Sequence, residues 1–282
     1  MVKTVTQLLN WARDHLEQHQ IEDASLSAKI LLSFSTKIPK IDFIKNPDTE
    51  IPTWQIDDFE KLVKKRAEKY PIAYLIHEKE FYSLPFYVNE NVLIPRPETE
   101  ILIELFGKKI GNQNLKVCDV GTGSGIIAVT LKKEFPNLNV TAVDISPDAL
   151  HVARMNAEMH RVEVEFVESD LLEKFLKVPV TFEAIVANLP YIPSGDIAGL
   201  SKEVQCEPIL ALDSGKDGLD HYRRLLPELR TKLATEGSVF FEYGIHQTSA
   251  MISLLENYSF TNIEVRKDYA GIDRIVSAQK ST

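Results

Sequence analysis

The run VANLPYIP, residues 186–193, ends an apolar stretch on Asn188 and follows it with Leu189, Pro190 and Tyr191. Two oxygens, one on the Asn188 side chain and one on the Leu189 backbone carbonyl, can together accept both N–H groups of a planar amide or aryl amine. Such a nitrogen has a delocalised lone pair and attacks poorly. The help it needs is to be fixed against an electrophile and to have its developing positive charge stabilised. Tyr191 would pack on the flat group and exclude water, and Pro190 would stiffen the turn. A strand ending in a polar cap and a proline turn would carry the same letters. The company these residues keep decides between the two.

That company is VCDVGTGSG, residues 117–125, in which Asp119 precedes a loop of Gly121, Thr122, Gly123, Ser124 and Gly125 between a strand and a helix. Glycines allow a tight turn and close approach of a ligand to the main chain, and the helix start offers unpaired N–H groups. Asp144 closes the next strand about 20 residues on, where a carboxylate accepts from ribose hydroxyls. Asp170 and Leu171 follow the third strand. Together these predict an adenosine-type ligand beyond the carboxyl ends of parallel strands. The third glycine comes one residue too early for G-x-G-x-x-G, and an acid ahead of the loop would repel a phosphate.

The elements that must position these residues fall into two periodicities. Residues 1–78 predict a small all-α domain. Apolar positions recur at helical spacing at Val5, Leu8, Leu9, Ala12 and Leu16, then at Leu26, Ile30, Leu31 and Phe34 after an Asp23 cap. They recur again at Trp54, Phe59, Leu62, Val63 and Tyr70 after a Thr53 cap. Residues 79–94, with EFYSLPFYVN, predict a β-hairpin linker. Residues 95–282 open on Pro95-Arg96-Pro97 and a helix beginning at Glu98 and Thr99. Apolar runs LKVCDV, NVTAVD, VEVEFVES, FEAIVAN and GSVFFEYG then alternate with helical stretches, which predicts an α/β domain with a parallel sheet covered on both faces. Two further β-like runs around Gly271 predict a terminal antiparallel pair and a mostly parallel seven-stranded sheet. FEAIVAN is the fourth strand of the series, so Asn188 falls beside the glycine loop.

The 282 residues are 44% apolar with a formal charge of -9 and no run of five or six like charges, which argues against broad binding of nucleic acid or an anionic membrane. The two cysteines, Cys118 and Cys206, are far apart and fit reduced thiols in the cytosol. No apolar run approaches the roughly 18 residues that span a bilayer.

The D-x-G-T-G-S-G loop resembles the cofactor loop of class I (Rossmann-like) methyltransferases, where an acid placed like Asp119 receives the methionine ammonium of S-adenosyl-L-methionine. Asn188-Leu189-Pro190-Tyr191 is similar to the N-P-P-Y of methyltransferases acting on planar nitrogens, with Leu189 in place of proline. N-L-P-Y also occurs in ribosomal-RNA adenine dimethylases. The stretches EFYSLPFYVNE, VLIPRPETEILIE, DGLDHYRRLL, FFEYGIHQ and KDYAGIDRIV, with the helical front end, resemble the release-factor glutamine methyltransferase family (PrmC/HemK) in order over essentially the whole chain.

That resemblance implies an enzyme that methylates the glutamine side-chain amide (N5) of the Gly-Gly-Gln motif of class-I peptide chain release factors. The methyl donor would be S-adenosyl-L-methionine, leaving S-adenosyl-L-homocysteine. The enzyme would act as a cytoplasmic monomer, with the helical domain helping to hold the protein substrate. It implies Asp119, Gly121, Thr122, Gly123, Ser124, Gly125, Asp144, Asp170, Leu171 and Asn188 at the cofactor. Asn188 and Tyr191 would be catalytic, with Leu189, Pro190 and Arg96 also at the glutamine, and Pro97 and Glu98 bordering the site. His77 stands where the family has a glycine. The alternatives are an adenine-N6 methyltransferase of RNA or DNA, whose basic face is missing, and a non-catalytic adenosine-binding module, which leaves Asn188 to Tyr191 without a purpose.

Other candidates reduce to structure. His15 and His19 lack the H-E-x-x-H acid and predict a solvated helix face, not a metal site. Glu203 and Glu207 predict the flanks of a surface helix, and Glu242, at a strand end, a structural partner more than a substrate contact. Ser146-Pro147 predicts a helix N-cap and first turn.

Overall fold

The computed structural model describes residues 2–281. The chain divides into two compact units. One runs to Glu78 and takes in Ser201–Cys206; the other is made of Lys79–Leu200 and Glu207 onwards.

In the first unit β1 (Lys3–Thr4) leads into α1 (Val5–Gln18), α2 (Ala24–Thr36), the single-turn α3 (Asp42–Lys45), β2 (Glu50–Ile51), α4 (Thr53–Ala67) and α5 (Ile72–Ile76), with β1 and β2 paired antiparallel. Thr4 starts α1 through a reciprocal capping box with Gln7. Val5, Leu8, Ala12 and Leu16 pack with Leu31 and Leu32 of α2 and with Ile56, Phe59 and Val63 of α4 in one core.

Two expected caps are corrected. Thr53 lies inside α4, with Pro52 as its N-cap. Asp23 makes no side-chain cap and instead pairs with Arg66 at 3.0 Å. Arg66 is only 3% exposed and also meets Glu203 at 2.8 Å. A buried guanidinium needs its anions more than a solvated helix end needs a cap. Leu26 and Trp54, placed by periodicity on buried faces, are 53% and 65% exposed. His77 ends α5 at φ 55, the left-handed conformation that a glycine takes without strain.

The second unit begins with a hairpin, β3 (Lys79–Phe81) and β4 (Leu84–Phe86), turning through Tyr82 and Ser83 at φ 52 and 59 as a two-residue primed turn requires. Phe81 and Phe86 are buried in the same core as α6 (Glu100–Lys109), so the hairpin packs as part of this unit. A 3-10 turn at Pro97–Thr99 precedes α6, which therefore begins later than the sequence predicts.

Then follow β5 (Lys116–Val120), α7 (Ile126–Glu134), β6 (Asn139–Asp144), α8 (Pro147–His160), β7 (Glu165–Glu168), β8 (Phe182–Ala187), α9 (Asp220–Lys232), β9 (Leu233–Glu242), α10 (Thr248–Asn257), β10 (Phe260–Lys267) and β11 (Asp273–Lys280). They form the expected seven-stranded Rossmann-like sheet, in the order β10-β11-β9-β8-β5-β6-β7, with β11 antiparallel to both neighbours. Residues 184–187 of β8 are wholly buried, as a central strand covered on two faces must be. One face packs on Leu225, Leu229, Met251 and Leu255 of α9 and α10, the other on Leu102, Phe106, Ile127 and Leu131 of α6 and α7. β5 has β6 on one side and β8 on the other, which is the switch point where open α/β sheets bind ligands. No helix among the described residues is long and apolar enough to cross a membrane.

Candidate active site

A cleft of about 310 Å³ is lined by Gly121 to Ser124 after β5, Asp144 at the end of β6 and Asn188 just past β8. The loop is pinned from below. The N–H groups of Gly121 and Thr122 both donate to the Val143 carbonyl at 2.9 Å. Gly123 N–H donates to Asp144 Oδ2 at 2.8 Å, and Ser146 N–H to Oδ1 at 2.9 Å. Burial raises the Asp144 carboxyl above its usual range, against the pull of these backbone donors. Gly123 has φ 54, and a Cβ built on it would meet no atom within 4 Å, so the cleft stays open right up to its peptide. Close approach of a ligand to the main chain requires that opening.

Gly125 sits at φ 81, where a Cβ would come within 3.0 Å of Ala153 Cβ. That lets α7 start close against α8. Asn156, fully buried, donates to the Ser124 carbonyl at 2.8 Å and fastens the loop to Tyr87.

Asp119 lies beneath the loop. Its side chain is fully buried under the loop, where Oδ2 accepts from Thr122 Oγ1 at 2.6 Å and from Ala128 N–H at 3.2 Å. It braces the turn and the start of α7. Burial pushes this carboxyl up to about 7, and its Oδ1 has no partner among the described residues.

On the far wall Asp170 and Leu171 line the cleft, with Leu171 held at φ 50 and Asp170 paired to Arg224 at 2.6 Å. Ile145, next to Asp144, also lines it and is 48% exposed, an apolar surface suited to the flat face of a base. The sequence did carry this signal, an apolar residue just past an acid that ends a strand.

Asn188 is half-buried on the opposite wall. Its Nδ2 donates to Thr99 Oγ1 at 3.1 Å, and Thr99 donates to Glu242 Oε2 at 2.6 Å. A hydroxyl whose proton is committed to a carboxylate can only accept from Asn188. The carboxamide nitrogen is thereby spoken for, and its oxygen is left to the cleft.

Leu189 is buried and its N–H donates to Tyr222 Oη at 3.4 Å, a bond that a proline could not make. The Tyr222 hydroxyl in turn donates to the Glu242 carbonyl. The Leu189 side chain also covers Gly121, where a Cβ would lie 2.7 Å from Leu189 Cδ2. The rigidity lost with the proline is thus replaced by packing and a hydrogen bond.

Tyr191 follows Pro190 and is half-buried. Its hydroxyl donates to Glu242 Oε1 at 3.3 Å, and its carbonyl accepts from Gln247 Nε2 at 2.8 Å. Burial, with Glu242 adding to it, keeps the phenol protonated.

Arg96 and Pro190 line the cleft, whereas Pro97 and Glu98 do not. Arg96 is held at 2.6 Å by Glu207, which is 4% exposed and also accepts from Ile94 N–H at 3.1 Å. The surface helix expected between Glu203 and Glu207 is replaced by 3-10 turns, because Pro208 bars its preceding residue from continuing a helix.

Residues 7–76 match the family model described as the PrmC N-terminal domain, and residues 97–200 the one described as the methyltransferase small domain. A release factor glutamine methyltransferase of Bacillus cereus is 39% identical over 281 residues, covering 98% of this chain and 99% of its own. One of Clostridium acetobutylicum is 39% identical over 255 residues, covering 89% and 90%. Among solved structures, a T. thermophilus 16S rRNA N2 G1207 methyltransferase, in complex with AdoMet and guanosine, has a TM-score of 0.53 at 17% identity, over 72% of this chain and 49% of its own. At that identity the likeness is one of fold.

Proposed function

This chain belongs to the release factor glutamine methyltransferase family, and from that premise we propose that it methylates the side-chain amide of the glutamine in the Gly-Gly-Gln loop of class-I peptide chain release factors. The single observation that carries this is the Asn188 carboxamide, fixed through Thr99 so that its oxygen is left to a nucleoside-shaped cleft. The methyl donor fits the residues present. Open space over the Gly123 peptide, the Asp144 carboxylate for ribose hydroxyls and the apolar Ile145 and Leu171 for adenine suit S-adenosyl-L-methionine. When bound, it supplies an electrophilic sulfonium methyl.

The chain's own residues then supply position and charge. Asn188 Oδ1 and the Leu189 carbonyl accept the two N–H groups of the glutamine amide and hold its plane. Both acceptors strengthen as positive charge grows on nitrogen, which favours the transition state over the bound substrate. Neither has to move, because Thr99 holds one and the Tyr222 hydroxyl anchors the backbone of the other. Bringing the nitrogen into line replaces the encounter entropy that a weak nucleophile cannot otherwise overcome. An alkylated amide nitrogen is strongly acidic and loses its proton to water, so no buried base is required. Arg96, which lines the cleft and is held by Glu207, would meet the backbone of the substrate loop.

The test is incubation of the chain with methyl-labelled S-adenosylmethionine and either unmodified release factor or ribosomal RNA, followed by peptide mapping. The expected result is one methyl group on the glutamine of Gly-Gly-Gln. Label on RNA adenine, or on another residue of the factor, would refute it.

A further inference from the structure

We propose that Glu242, acting through the Thr99 hydroxyl, is a positioning residue that decides which end of the Asn188 carboxamide faces the substrate. This deepens the glutamine reading and rests on it. The groups come from three places in one unit: Asn188 just past β8, Glu242 at the end of β9, and Thr99 in the turn before α6. Thr99 is fully buried and Glu242 is 1% exposed, so water does not supply alternative partners.

The hydrogen bonds have a direction. Asn188 Nδ2 donates to Thr99 Oγ1, Thr99 donates to Glu242 Oε2, and Tyr191 donates to Glu242 Oε1. An ionised carboxylate can only accept, so it claims the one proton Thr99 has. What Thr99 then offers Asn188 is a lone pair, and the carboxamide must present its nitrogen there and its oxygen to the cleft.

A proton on Glu242 Oε2 reverses the chain. Glu242 would donate to Thr99, Thr99 would donate to Asn188 Oδ1, and the turned carboxamide would meet the glutamine NH2 with an NH2 of its own. Donor would face donor.

The charged and titratable groups around Glu242 are Arg274 on β11, Glu98 beside Thr99, Tyr191, and Tyr222 on α9, whose hydroxyl donates to the Glu242 carbonyl. Burial pushes the Glu242 carboxyl up to about 7; Thr99, Arg274 and Tyr191 pull it down, and Glu98 pushes it up. The reversal therefore falls near neutral pH, and turnover rises with pH as Glu242 ionises.

The experiment measures single-turnover methyl transfer to unmodified release factor between pH 5.5 and 9, with S-adenosylhomocysteine titrated separately as a readout of the cofactor side. Wild-type transfer to the glutamine establishes the underlying reading; its absence sinks that reading and this inference with it. The wild-type rate should climb about tenfold per pH unit on the acid side of a value near neutrality and then level off. Glu242→Gln, which cannot ionise, should lose that acid limb and transfer more slowly. Thr99→Val, which offers Asn188 no acceptor, should lose roughly 10–100-fold in rate, while cofactor affinity stays within about twofold. Thr99→Ser should restore most of the rate. A wild type that transfers, together with an acid limb unchanged in Glu242→Gln or a Thr99→Val rate equal to that of Thr99→Ser, would overturn the inference. So would cofactor affinity falling in step with rate.

Discussion

Two of the buried carboxylates behind the cleft, Asp119 and Glu242, behave differently although burial brings both to about 7. Asp119, under the glycine loop, uses only Oδ2, accepting from Thr122 and Ala128, and leaves Oδ1 without a partner among the described residues. A proton can sit on Oδ1 and disturb neither bond. Glu242, behind Asn188, uses both oxygens, so a proton on either must turn a donor round. One wall offers main-chain groups fixed by backbone conformation together with the Asp144 carboxylate, and a proton on Asp119 leaves it as it is. The other points a side chain and depends on where one proton lies.

The contrast can be broken or sharpened at several positions. The largest effect is expected from Asn188→Ala, which should lower methyl transfer roughly 10²–10³-fold, the loss seen when one transition-state hydrogen bond is removed. Its cofactor titration should match that of wild type. A comparable loss of affinity would merge the two walls into one.

Asp144→Ala should do the opposite. Losing a charged acceptor of ribose hydroxyls removes about 1.5–3 kcal/mol, so affinity for S-adenosylhomocysteine should drop by roughly one to two powers of ten. The transfer rate at saturating cofactor should change far less. An unaltered titration would remove Asp144 from the ribose.

Gly121→Ala is the position where the walls meet. At φ 74 its Cβ would press on Leu189 Cδ2, so strain of about 1–3 kcal/mol should appear in thermal stability, with affinity and transfer rate falling together. Loss of only one would show that Leu189 is not held by the loop.

The smallest effect belongs to Asp119→Asn, whose amide oxygen can keep both hydrogen bonds. Its transfer rate should follow the wild-type pH profile. Its stability should not. Asp119 rises from an ordinary 3.8 to about 7, so the folded state holds a proton that the unfolded chain has already lost. That contribution is complete below about 4 and fades as pH rises to about 7, flattening above it. Glu242, raised from 4.5, acts in the same direction. Melting temperatures across pH 4–8 should therefore fall less steeply in Asp119→Asn than in wild type.

Which parts of this were legible in the sequence follows from distance along the chain. The glycine loop, Asp144 and Asn188 each sit at the end of a strand whose burial is written in a continuous apolar run, so topology alone brings them together. Thr99 and Glu242 each looked like local punctuation, a helix start and a strand end. Their partnership spans the sheet, and no spacing records it. The hydrogen bonds that Asp119 makes to Thr122 and Ala128, and Tyr191 to Glu242, depend on neighbours the sequence does not place. Glu207 was misplaced for a related reason: charge implied exposure, while Arg96 and Ile94 N–H supply the partners that let it be buried. His77 shows the reverse case, a left-handed backbone that this chain adopts without a glycine.

The most direct measurement is a crystal structure of the chain with S-adenosylhomocysteine and a release factor or its Gly-Gly-Gln loop. Asn188 Oδ1 and the Leu189 carbonyl should each lie about 2.7–3.2 Å from the glutamine side-chain nitrogen, with Asn188 Nδ2 still on Thr99. A glutamine nitrogen bound elsewhere, or an Asn188 carboxamide turned from the cleft, would contradict it.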